Sequence, residues 1–394
     1  MPDKHRSLKY YTLFGFFVIG IITLLLGQVL PILSARLHLN DAEAGAFFIA
    51  FFGGSLLGTL FVTRLACRFG FIITTVVGIL LMIVGLPGLN FDSFAVCWIA
   101  IFVYGTGLGF TIPAINLLTI DITPLERQSV SINLINFAWG IGAICSYPFV
   151  ALLSRDNSLV LVTALLVVVL IFLAFGFVSS RSSVSAEVDT SSPDEHEGRI
   201  WDRPASWLFV LFGFFVIAIE SSMGGWLTTF TKTFDQTSVG INLTVVYFAF
   251  VVLGRGVASV ISSRLSESTL ISICSITLLI GTAILVFFAD SFSVAGAAIA
   301  GFGSSAIFPT NMVRFTKVFG PGSTRNATPV FLASICGSAV ATWLIGQIST
   351  SYGGLRVGMA VPLIAAMLVL VIQVAIVRVF RLSTTAGRIA DKRI

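Results

Sequence analysis

Apolar residues run in long blocks along this chain, separated by short clusters of charge, Gly, Pro and Ser, and no block alternates with the period of a membrane-barrel strand. A hydrocarbon core of about 30 Å takes roughly 20 helical residues to cross. The blocks therefore predict twelve transmembrane helices, at 8–33, 43–63, 71–89, 94–119, 128–153, 159–178, 205–230, 239–262, 269–289, 292–313, 326–349 and 354–377. A helix suits such a block because it satisfies its backbone N–H and C=O groups within its own segment. The first block is too long, and its flank PILSARLHLN too bulky, to read as a cleaved signal peptide, so it is expected to stay as a helix. No soluble domain is expected.

The pattern is also written twice. LFGFFVI occurs at Leu13–Ile19 and again at Leu211–Ile217, an alignment that sets Gly27 against Gly225. An offset of 196 sets GTGLGFTIP, Gly105–Pro113, against GFGSSAIFP, Gly301–Pro309, and sets Leu57, Gly58 and Arg68 against Leu253, Gly254 and Arg264. Six spans return the chain to the side it started from, so the halves are expected to be parallel copies about an axis along the membrane normal. Between them lies SSRSSVSAEVDTSSPDEHEGRIWDRP, rich in Ser and charge, which reads as a flexible linker. The expected organisation is a six-helix bundle over 1–178, a cytoplasmic linker over 179–204, and a second six-helix bundle with a tail over 205–394.

Composition agrees with the pattern: 56% of the 394 residues are hydrophobic and only 10% are charged, and mean hydropathy is +1.01, outside the range of soluble globular chains. Among the 23 Lys and Arg residues, Arg36, Arg155, Lys232 and Arg356 fall on one side of the membrane and Arg255 falls inside a span. The rest share the side of the termini, which the positive-inside rule assigns to the cytoplasm. The pI near 9.1 is thus a matter of topology, and no nucleic-acid partner is expected. The five cysteines are scattered, without the spacing of a disulfide framework or a zinc site. The three histidines, His5, His38 and His196, lie in tails or loops, so no catalytic constellation assembles and no Walker sequence is present to hydrolyse ATP.

Several short segments carry a resemblance. The loop LACRFG at 65–70 resembles the signature loop of the major facilitator superfamily, matching it at Arg68 and Gly70, with Cys67 where that loop has an Asp. AIESSMGGW at 218–226, NLINFAWGIGA at 133–143 and LGRG at 253–256 resemble the fucose-permease and sodium-glucose-transporter-like branch of that superfamily. The first span lacks the acidic residue that proton-coupled fucose permeases carry there. The resemblance implies an all-α membrane protein whose twelve helices form two six-helix bundles, with the first helix of each lining a central cavity.

Glu220 is the residue that the membrane makes expensive. A carboxylate at a helix centre costs roughly 2.5–3.5 kcal/mol on insertion scales, and its default reading is functional. It lies about 15 residues into span seven, about 22 Å along the axis, while the repeat places Ile22 at the equivalent position and Gln28 opposite Trp226. The scaffold therefore does not require the acid. A carboxyl there can take a proton on one side and release it on the other as access alternates; the bland reading is a permanent ion pair, with Arg255 as the obvious partner. Arg255 itself can pair with Glu220, bind an anionic group of a solute, or snorkel to the interface.

Asn133 and Asn136 share a face of span five with Gly140 and Tyr147, where they can bond solute hydroxyls or neighbouring helices. Trp139, Trp226 and Trp343 lie within spans, where an indole can stack on a sugar ring or fill space. Gln28, Asn116, Asn311 and Gln347 are further lining candidates, Arg314 and Lys317 read as interfacial anchors, and Pro113 and Pro309 are expected to kink spans four and ten. The expected activity is secondary transport by alternating access, as a proton-coupled symporter of a sugar or similar small polar solute. Efflux of amphipathic compounds, or a receptor on a transporter scaffold, are the rivals. The expected driver is an ion gradient without a cofactor, and the expected setting is a monomer in a plasma membrane, a bacterial inner membrane, with both termini cytoplasmic.

Overall fold

A computed structural model describes residues 2–124, 127–154, 158–180, 200–234, 241–262, 264–319 and 327–391. The core of the expected linker, 181–199, lies outside them. Twelve helices among the described residues are long and apolar enough to span a membrane. They are α1 (Ser7–Leu37), α2 (Asp41–Phe69), α3 (Phe71–Asn90), α4 (Phe94–Asp121), α5 (Val130–Leu153), α6 (Val160–Ser179), α7 (Pro204–Thr231), α8 (Leu243–Ile261), α9 (Glu267–Phe287), α10 (Ala289–Phe319), α11 (Thr328–Tyr352) and α12 (Leu355–Val379). The side that bears the termini is called inner below, and the opposite side outer.

Helix ends follow local chemistry rather than hydropathy. α2 begins at a capping box in which the Asn40 side chain and Glu43 satisfy each other's backbone N–H groups. It runs past the apolar block through Arg64 and Arg68, because a hydrogen-bonded helix does not stop where the hydrocarbon does. Gly70, at φ 84°, ends it. α8 starts where the Asn242 side chain accepts from the backbone N–H of Thr244 and Val245, at 2.9 and 3.2 Å. α10 extends beyond its expected 292–313 on both sides and is interrupted at Ser305 and Ala306, between helical stretches Ala289–Ser304 and Ile307–Phe319. α4 passes through Pro113 as one continuous helix.

The duplication is visible in the packing. A Cβ placed on Gly105 would lie 2.3 Å from the Phe51 carbonyl oxygen, and one placed on Gly301 would lie 2.2 Å from that of Tyr247. Both pairs are related by the same 196-residue offset, so the backbones of α2 and α4 in one half, and of α8 and α10 in the other, touch at equivalent points that admit only glycine. Two six-helix bundles result.

The bundles meet through α1 with α7, α2 with α11, and α5 with α8, and these contacts concentrate on the outer side. There the backbone N–H of Ala42 donates to the Thr350 hydroxyl at 2.8 Å, the Ser349 hydroxyl donates to Asp41, and Gln347 donates to the Ala42 carbonyl at 3.5 Å. Deeper in, Thr228 donates to Gln28 at 2.5 Å and the rings of Phe48 and Trp226 lie 5.7 Å apart. The outer side is closed.

Candidate functional site

Just inside that closed seam, within the membrane-length helices, α5, α7, α8 and α10 bring their polar groups together. The Arg255 guanidinium reaches the Glu220 carboxylate at 3.9 Å, the long end of an ion pair, with 34% and 17% of the two side chains exposed. Arg255 Nε donates to the Ser305 carbonyl at 3.4 Å, and its guanidinium carbon stands 5.9 Å from the centre of the Trp139 ring. Arg255 thus turns inward, where a carboxylate, a carbonyl and an aromatic face compensate its charge. One cation links three helices of the second half to α5 of the first.

Trp139 is steered by neighbours: its indole N–H donates to the Thr23 hydroxyl of α1 at 3.5 Å and its ring stands edge-on to Phe248 at 6.2 Å. Asn136 spends its amide N–H on the Ile132 carbonyl one turn back, and Asn116 does the same to Ile112. Asn133 is exposed. Two hydroxyls that the sequence did not single out, Tyr247 and Ser304, are buried here beside each other. Ser221, beside Glu220, donates to Ser338 of α11 at 2.7 Å. A cavity of about 60 Å³, lined in part by Thr23, Phe48, Phe52 and Ser221, has room for a few waters.

Other expected lining residues sit elsewhere. Trp226 has none of its surface exposed; its indole N–H donates to the Thr342 carbonyl at 2.8 Å, so in this conformation it is a wedge in the outer seam and presents no face to a solute. Gln28 and Gln347 belong to the same seam. Thr228 extends it as the centre of a buried cluster, 2.9 Å from Thr244 and accepting from Asn242 at 3.2 Å.

Asn311 lies within the second bundle, where it accepts from Arg314 at 2.6 Å. Arg314 corrects an expectation: only 6% exposed, it is no interfacial anchor. Its other fork donates to Gln373 at 2.6 Å, and the guanidinium lies 5.4 Å from the rings of both Phe209 and Phe212. Amide oxygens and phenyl faces replace the water a cation would otherwise seek. Lys317 pairs with Glu267 at the start of α9. In the last turns of α2, Arg64 and Arg68 pack on the rings of Phe61 and Phe69.

The profile of the Major Facilitator Superfamily matches residues 12–331. Among curated proteins no sequence relative matches. Solved structures share the fold at low identity. The transporter FucP in its outward conformation superposes with TM-score 0.64 at 14% identity, covering 94% of this chain and 98% of its own. The nucleoside transporter NupG superposes with TM-score 0.73 at 13%, covering 96% and 99%. The xylose transporter XylE from E. coli, inward open, superposes with TM-score 0.70 at 13%, covering 93% and 95%.

Proposed function

Because this chain belongs to the major facilitator superfamily, and is therefore a multi-pass membrane transporter rather than an enzyme, we propose that it moves a sugar or similar small polar solute together with protons. Its two bundles, 1–178 and 205–394, rock about the centre described above, with the termini in the cytoplasm of a bacterial cell and the monomer as the working unit. The observation that carries this reading is the Glu220–Arg255 pair at mid-membrane, 3.9 Å apart and partly exposed. A carboxyl so placed trades its partner: proton on, it releases the guanidinium; proton off, it recaptures it. The bundles then change their orientation with that exchange. The neighbours FucP, a fucose:proton symporter, the nucleoside transporter NupG and the xylose transporter XylE carry different cargoes by name, so cargo is argued from side chains: Trp139, Asn133, Asn136 and Asn116 offer a ring face and amides to a hydroxylated solute, with Gln28, Trp226, Asn311 and Gln347 reserved for other conformations or for gating.

The efflux reading draws on the phenylalanines Phe48 and Phe52 of the cavity wall, which suit an amphipathic cargo. Purified protein in liposomes, tested for counterflow of labelled pentoses, hexoses, nucleosides and amphipathic dyes, decides between them. Glu220→Gln is expected to abolish accumulation driven by a pH gradient while sparing exchange. Normal uphill accumulation by that variant would remove Glu220 as the coupling group.

A further inference from the structure

In an α-helix the carbonyl of residue i accepts from the N–H of residue i+4, and a proline at i+4 has none to give. Pro309 therefore leaves the Ser305 carbonyl without its helical donor, at the interruption of α10, and this is the carbonyl to which Arg255 Nε donates at 3.4 Å. The first half contains the same arrangement. Pro113 leaves the Gly109 carbonyl of α4 without its donor, and the Thr59 hydroxyl of α2 donates to it at 3.3 Å. Thr59 and Arg255 are related by the same 196-residue offset as Pro113 and Pro309. The preceding glycines also match: a Cβ on Gly58 would lie 2.9 Å from the Gly109 carbonyl carbon, and one on Gly254 would lie 2.4 Å from the Ser305 hydroxyl. The proline, the released carbonyl, the capping side chain and the glycine that lets the helices close are thus a unit built twice, neutral in one half and cationic in the other.

We infer that Pro309 is a positioning residue for Arg255: the Ser305 carbonyl it releases holds the guanidinium off Glu220 and keeps the pair open at 3.9 Å. The guanidinium is shared between a fixed backbone acceptor and a carboxylate, so neither bond is at its shortest, and the carboxylate can part from its partner without stranding a cation. Without the carbonyl, the guanidinium has one strong acceptor left and closes on it. The inference rests on reading Glu220 and Arg255 as the coupling pair, but its test needs no solute.

Pro309→Ala restores the N–H that competes for the Ser305 carbonyl, and Pro113→Ala does the same in the half where the cap is a neutral hydroxyl. The infrared carboxylate bands of the purified full chain that disappear in Glu220→Gln belong to Glu220. These bands are expected to shift in Pro309→Ala and to stay in place in Pro113→Ala. Glu220→Gln is also expected to lower Tm by at least about 3 °C more in the Pro309→Ala background than in the wild type, and by the same amount as in the wild type in the Pro113→Ala background. Equal effects of the two proline replacements, or none from Pro309→Ala, overturn the inference.

A second comparison decides the matter if Pro309→Ala does not fold. Arg255→Thr installs the first half's cap in the second, and is expected to keep Tm within a few degrees of wild type, where Arg255→Leu, which leaves the carbonyl bare, lowers it clearly. Equal losses in those two variants also overturn it. A failure of transport coupling to depend on Glu220 leaves these results standing, so the two readings fail separately.

Discussion

Gly27 lies at one of the tightest points of the closed outer seam, and replacing it tests whether that seam is a gate. A Cβ at position 27 would lie 2.2 Å from the Gly224 carbonyl oxygen and 2.9 Å from the Gly225 Cα, both on the opposite bundle. Since the obstacle is backbone, no side chain can rotate away, and α1 and α7 must separate by about 1 Å to restore an ordinary contact. That separation breaks the 2.5 Å bond from Thr228 to Gln28 and loosens the Phe48–Trp226 contact. A buried hydrogen bond and an aromatic pair are each worth about 0.5–1.5 kcal/mol, so Gly27→Ala is expected to cost the outer-closed state about 1–3 kcal/mol. An equilibrium between outward- and inward-facing forms shifts by roughly 5- to 150-fold for such a cost. With the five native cysteines replaced, a cysteine introduced for Ser349, which is buried at the outer seam and takes no part in the Thr228–Gln28 bond, reports the shift through its rate of reaction with a membrane-impermeant thiol reagent added from the outer side. Gly53→Ala is the control, because the nearest atom to its new Cβ is the ring edge of Phe102 at 3.9 Å. An unchanged reaction rate in Gly27→Ala, or an equal rise in both variants, refutes the argument.

Three other outcomes follow from the same packing. Asn242→Ala removes the cap of α8 and a donor to Thr228 together, and is expected to cost about 1–3 kcal/mol in thermal unfolding while raising outer-side thiol reactivity. Arg314→Lys keeps the charge but cannot fork between Gln373 and Asn311 or lie flat between two phenyl rings. It should lower stability in thermal unfolding by about as much as a lost buried hydrogen bond, roughly 1–3 kcal/mol, and a neutral result would return Arg314 to the role of a surface anchor. Trp226→Phe deletes the indole N–H that meets the Thr342 carbonyl, and is expected to speed thiol labelling at position 349 while leaving exchange of a transported solute on the inner side intact; a loss of affinity without any change in labelling would put Trp226 back in the binding site.

The sequence on its own determined the spans, the duplication and the exceptional residue. Each of these rests on a local cost: a polar backbone in hydrocarbon must be helical, a repeated unit needs repeated glycines where helices touch, and a carboxylate at mid-membrane stands out whatever surrounds it. Arg255 was legible as a candidate partner of Glu220, because so few ions are buried, but pairing, binding a solute anion and snorkelling to the interface stayed open until the structure placed the guanidinium 3.9 Å from the carboxylate. Which way each helix turns its other residues was not legible. Lipid is as apolar as the packed interior, so a membrane helix carries little contrast between its inner and outer faces, and a tryptophan such as Trp226 reads the same whether it lines a cavity or fills a seam. The structure therefore decided that Trp226, Gln28 and Gln347 lie in the outer seam, that Arg314 is enclosed by phenyl rings and amides, and that the unremarked hydroxyls of Tyr247 and Ser304 sit near the ion pair. It also decided where the carbonyl released by Pro309 points. The proline declares from the sequence that an acceptor has lost its donor, but only the close packing of α8 against α10 shows that the new donor is the guanidinium of Arg255.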